Sequence, residues 1–197
     1  MKVKTNPLNH NGAVEAERIL RRMYDVETSS YQIVIEGYLN RNRPHKAQQL
    51  LDELEKNSVD NPKLTVTPDI LTLCARSWMK KDSGNERSIE QAHSCVMQFA
   101  ALFIKHKVRT RNYYLDFRLM NDLIVEWRKT GSIHSGLRGE EILESMETLY
   151  SHTNNRGFAP TNYTFHSVIE AWSTSGHPDA AVRAKAILDR MDSEYIR

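Results

Sequence analysis

The chain has 197 residues, 40% of them hydrophobic and 26% charged, with a formal net charge of +2. That balance suits a folded globular or repeat protein and excludes a low-complexity or strongly charged disordered polymer. No window approaches the roughly 18 apolar residues of a membrane span, and so small a charge does not by itself indicate a nucleic-acid partner.

Glycine and proline are few and sit mostly between periodic segments, which favours helix over sheet. Taken in order, apolar residues at spacings of three and four predict a leading helix over 13–24. Pairs follow at 29–41 with 44–57, 68–80 with 86–105, 116–129 with 136–152, and 161–174 with 178–195. The connectors carry helix breakers, as in Asp82-Ser83-Gly84-Asn85, Thr130-Gly131-Ser132 and Ser175-Gly176-His177-Pro178. The expectation is an all-α chain, one helical-repeat array of a leading helix (13–24) and four antiparallel hairpins (29–57, 68–105, 116–152 and 161–195). Such hairpins bury their narrow apolar faces on one another and stack into an α-solenoid. The N-terminal stretch MKVKTNPLNHNG lacks an apolar signal core, and the chain reads as a piece of a longer array. Cys74 and Cys95 fall inside helical patterns and read as buried, reduced thiols.

Two patterns alternate along these helices. The second helix of each pair carries a small residue followed by apolar residues at +3, +4 and +7, beginning at Ala16, Ala47, Ala92, Gly139 and Ala184. The small residue permits close helix approach and the others form one stripe. The first helix ends in an aromatic residue, reading YQIVIEGY to Tyr38, LTLCARSW to Trp78, MNDLIVEW to Trp127 and FHSVIEAW to Trp172. The recurrence of Trp78, Trp127 and Trp172 at one place points to packing between repeats. Glu140, Glu141, Glu144 and Glu147 are spaced for the solvated outer face of a helix. No phosphate loop, dinucleotide fingerprint or metal-ligand spacing is present, so no catalytic residue, metal, cofactor or small-molecule substrate is expected, and the chain does not read as an enzyme.

The stretch Pro160-Thr161-Asn162-Tyr163-Thr164-Phe165-His166-Ser167-Val168-Ile169-Glu170-Ala171-Trp172, with its following Ala-x-x-Ile-Leu-x-x-Met, resembles the pentatricopeptide repeat family in a divergent form of algal or diatom type. The rest of the chain resembles it more weakly. The small-residue marks step by 31, 45, 47 and 45 residues (16 to 47, 92, 139 and 184), against repeats of roughly 35 residues in the family. The resemblance implies a right-handed superhelix that holds single-stranded RNA on its concave first-helix face, one base per repeat. Carried over by position, the first-helix readers are Gln32, Thr72, Asn121 and His166, and the repeat-end readers are Thr67, Asp116 and Thr161. Tyr163 occupies a wedge position suited to stacking. The run from Lys105 through Lys107, Arg109 and Arg111 to Tyr113 and Tyr114 is the most basic in the chain and suits a phosphate backbone. By the same resemblance the chain acts in a mitochondrion or plastid in RNA processing, stability or translation, with RNA-processing or ribosomal proteins as further partners and no membrane. The alternative from the residues themselves is a protein–protein scaffold of tetratricopeptide-like type.

Overall fold

A computed structural model describes residues 12–106 and 118–195. Among these residues the protein is all-helical, with nine α-helices, one short 3₁₀ turn at Arg156–Phe158 and no strand. The helices are α1 (Gly12–Leu20), α2 (Thr28–Leu39), α3 (Pro44–Ser58), α4 (Pro68–Lys81) and α5 (Glu86–His106). They continue with α6 (Arg118–Thr130), α7 (Ser135–Thr153), α8 (Asn162–Thr174) and α9 (Ala180–Tyr195). The chain divides into two compact units, Met1–Ser77 and Trp78–Arg197, with the division inside α4.

The helix ends follow local chemistry. Pro44 sits in the first turn of α3, where its missing N–H has no intrahelical partner to lose. Asn154 closes α7 in the left-handed conformation (φ 51°) and donates its N–H to the Tyr150 carbonyl. Thr161 and Thr164 form a reciprocal cap at the start of α8. α1 and α9 are shorter than the sequence predicts by more than one residue. α1 stops at Leu20 because the next N–H groups close tight turns, Arg22 to Ile19 and Met23 to Leu20, and Ile19 and Met23 gain no burial from a longer helix. α9 begins at Ala180 rather than at Pro178, since the Ala180 N–H closes a turn on His177.

In the first unit α1 packs on α2 and α2 on α3. The buried stripe comprises Ala13 and Leu20, then Tyr31, Val34, Ile35 and Tyr38, then Ala47, Leu50, Leu51 and Leu54. In the second unit α7 packs on α5, α6 and α8, while α8 also packs on α6 and α9. In this unit α6 therefore lies beside α8, and α5 beside α7. The 3₁₀ turn brings Phe158 against Phe103, which in turn meets Phe99 at a centroid distance of 4.9 Å. Both cysteines are buried free thiols, and burial pushes Cys74 up to about 12.

One interaction recurs at three of the aromatic residues that end first helices. The Tyr38 hydroxyl donates to Glu17 (2.5 Å), the Trp127 indole N–H to His93 Nδ1 (3.1 Å), and the Trp172 indole N–H to Glu140 Oε1 (2.7 Å). Each acceptor is the residue after the small one: Ala16-Glu17, Ala92-His93, Gly139-Glu140. The two tryptophans are covered from the following second helix by a guanidinium, Arg138 over Trp127 and Arg183 over Trp172, each just under 6 Å from the ring centre. Arg183 also pairs with Glu140. Glu140 is therefore not on the solvated face that its spacing predicts; it is buried because a buried indole needs an acceptor there. Glu147 departs from that expectation too, being half-buried and paired with Arg190.

Trp172 also fixes Gly136. A Cβ at Gly136 would lie 2.2 Å from the indole, inside the ring's own volume. Gly136→Ala is expected to lower the urea midpoint by the equivalent of about 1–3 kcal/mol, although alanine is the better helix former. An unchanged or raised midpoint would show that the indole can move aside.

His93 makes its seat sensitive to pH. Burial pulls the imidazole down to about 4, with Arg138 acting in the same direction and Glu141 opposing. Nδ1 must stay unprotonated to accept from Trp127, while Nε2 lies 3.1 Å from Glu141. A histidine with a folded value below its unfolded one binds fewer protons when folded. Its contribution is complete above an unfolded value of about 6.5 and is lost as the pH falls toward 4. Stability is expected to drop by about 1–2 kcal/mol between pH 7 and pH 5. His93→Gln, which can still accept from Trp127 and donate to Glu141, should flatten that slope in parallel urea titrations. A slope unaltered by the substitution would assign the loss elsewhere.

Candidate nucleic-acid interface

The residues named as base readers fall into three sets. In the first unit, Gln32 is half-buried on α2 and donates its side-chain N–H to Glu36 one turn on (2.9 Å). Thr67 precedes α4, and its hydroxyl accepts from the Ile70 N–H at 3.4 Å. Thr72 is half-buried on α4. In the second unit, Asn121 is half-buried on α6, whereas Tyr163 (59% exposed) and His166 stand exposed on α8. Lys105 lies in the last turn of α5; Lys107, Arg109, Arg111 and Asp116 lie outside the described residues.

The structure joins two of these readers through a residue that the sequence reading passed over. Thr164 is fully buried, and its hydroxyl donates to Asn121 Oδ1 at 2.9 Å. The same hydroxyl accepts from the Thr161 N–H, and the Thr161 hydroxyl accepts from the Thr164 N–H. Asn121 and Thr161 are thus members of one network that caps α8 and fastens it to α6. Asn121 Oδ1 already accepts one hydrogen bond here, which leaves its Nδ2 donors and the second lone pair of Oδ1 for a ligand. The signal for Thr164 was present in the sequence as Thr-x-x-Thr at a helix start, a variant of the capping box.

Tyr163 and His166, three residues apart, share the outward face of α8. The Tyr163 ring is the largest aromatic surface open on that face, while its carbonyl accepts from Ser167 within the helix. Toward the end of α6, Arg128 pairs with Glu170 of α8 and Lys129 with Glu126, while Arg118 stands exposed at its start, 45 residues before Tyr163. Among the described residues there is no group of three or more His, Cys, Asp or Glu side chains able to hold a metal, and no helix long and apolar enough to cross a membrane.

No protein-family model, curated protein or solved structure matches the chain. Its chemistry has to be read from its own side chains.

Thr164→Val tests the network directly. It removes the donor to Asn121 and half of the α8 cap at nearly constant volume. The expected cost is about 1–3 kcal/mol, read as a shift in urea midpoint. A loss below about 0.5 kcal/mol would mean that Asn121 and Thr161 do not depend on it.

Proposed function

We propose that this chain is a pentatricopeptide-like α-solenoid that binds single-stranded RNA along the outward faces of its first helices. The observation that carries this reading is the pairing of exposed Tyr163 and His166 on α8 beside half-buried Asn121 on the adjoining α6. A ring, an imidazole and amide donors on neighbouring helices suit a base that is stacked and then touched at its edge. Because Asn121 and Thr161 also hold α8 in place, base selection at this position is weak, and stacking supplies most of the affinity. The action is passive: RNA is held for processing, protection or translation by other factors, in a mitochondrion or plastid by the resemblance alone.

The protein-scaffold reading is kept because of one observation. Arg128 and Lys129 of α6 are paired with Glu170 and Glu126, which weakens phosphate attraction at that end of the face.

Fluorescence anisotropy with a labelled single-stranded RNA of random sequence, about 20–30 nucleotides long, separates the two. RNA binding is expected, weakening on going from about 50 to 200 mM salt. Tyr163→Ala should lower affinity by about 5- to 20-fold without altering the urea midpoint. Absence of RNA binding, or an affinity unchanged by that substitution, would overturn the RNA reading at this site.

A further inference from the structure

Two turns of the second unit are clasped together by serine hydroxyls. Ser83, in the turn between α4 and α5, donates to Glu126 Oε2 of α6 (2.7 Å). Ser132, in the turn between α6 and α7, donates to Glu86 Oε1 of α5 (2.6 Å). Gly84 brings the first turn close in a left-handed conformation (φ 77°), and a Cβ there would lie 3.4 Å from the Lys129 carbonyl. The two hydroxyls differ in what else they do. Ser132 is half-buried and also accepts from the His134 N–H, so the start of α7 depends on it. Ser83 is exposed and lies outside any helix. It follows Lys80-Lys81-Asp82, and no other described serine or threonine has basic residues at both the second and the third place before it.

We propose that Ser83 is a phosphorylation site for an ATP-dependent protein kinase that selects basic residues ahead of its serine, and that the phosphate opens the clasp to Glu126. In the transfer the Ser83 oxygen bonds to the γ-phosphorus of ATP as the bond from that phosphorus to the β,γ-bridging oxygen breaks. ADP departs, and the hydroxyl proton passes to the kinase's base and then to water. Lys80 and Lys81 lie in the last turn of α4, and helix ends open at low cost, which lets both reach an acidic kinase cleft. The product cannot repeat the bond that the serine makes. A phosphate dianion has only acceptors, and it places about 1.5 to 2 negative charges where a hydroxyl had faced a carboxylate. The Glu126 side chain is only 13% exposed, and its Oε1 is already paired with Lys129 (2.5 Å). The carboxylate therefore has little room to turn away, and one ammonium must serve two anions. Asp82 and Glu86, on either side of the turn, add to the repulsion. The start of α5 attracts a phosphate, but one helix end offsets less than the repulsion of a dianion from a mostly buried carboxylate. None of this depends on the RNA reading.

The test uses the full chain, ATP and the catalytic subunit of cyclic-AMP-dependent protein kinase as a probe of this specificity. Peptide mass mapping is expected to place phosphate on Ser83, and replacing Lys80 and Lys81 by alanine should slow its incorporation about tenfold or more. The phosphorylated chain should unfold at a lower urea midpoint than the unmodified one. Ser83→Ala, which loses the hydrogen bond without adding charge, should give a smaller shift. In Glu126→Gln, whose amide oxygen still accepts from Ser83, the shift on phosphorylation should fall to about half or less. It should also shrink on going from about 50 to 500 mM salt, which checks the repulsion without any substitution. Ser83 left without phosphate, incorporation indifferent to the two lysines, or a midpoint unchanged or raised by phosphate would overturn the proposal. So would a shift that neither Glu126→Gln nor salt reduces.

Discussion

An aromatic side chain that carries a donor cannot be buried in a helix interface without an acceptor opposite it. Leaving such a donor unpaired costs about 1–3 kcal/mol. The residue that answers it must sit on a helix close enough to reach. Tyr38, Trp127 and Trp172 each find that residue one position beyond a small one, at Glu17, His93 and Glu140. The small residue and the acceptor work together, the first setting how near the helices come and the second setting which aromatic can be seated. Gly139 illustrates the closeness, since a Cβ there would already touch the Val168 side chain at 3.6 Å. Much else follows from this pairing, including the burial of Glu140, the placement of Arg138 and Arg183 over the rings, and the need for glycine at 136.

The outward face of the first helices is arranged under the same demand. Polar groups near the start of α8 are used first to close the helix and to fasten it to α6, through Thr161, Thr164 and Asn121. What remains for a ligand is the part of each side chain that the fold does not consume: the ring of Tyr163, the imidazole of His166, and the Nδ2 donors and second Oδ1 lone pair of Asn121. On the RNA reading proposed above, such a face would accept different bases, because every base has a face to stack.

The helices were legible in the sequence because their apolar residues repeat at three and four and their ends carry Pro44, Gly131 and Gly176. The alternation of an aromatic-ended helix with a small-residue helix was legible too. Glu140 was misread because a carboxylate beside Glu141 and Glu144 looks solvated in one dimension, and only the position of Trp172, 32 residues away, shows that it is not. Gln32, Asn121 and Thr161 could be placed on their helices, but their hydrogen-bond partners could not. Those partners are set by cross-helix neighbours or by rotamers, and no local pattern records them. The positions most favoured for phosphate contact, Lys107, Arg109 and Arg111, lie outside the described residues.

The three aromatic seats are alike in position but not in chemistry. One joins a phenol to a carboxylate, one an indole to a neutral imidazole, and one an indole to a carboxylate that also holds an arginine. A chain of similar hairpins risks pairing the wrong neighbours while it folds, since any apolar stripe will fit any other approximately. Unequal seats make the hairpins distinguishable. A misplaced helix would bring a phenol to an acceptor that seats an indole and would lose that match. The variation among Glu17, His93 and Glu140 thus gives each seat its own donor–acceptor pairing.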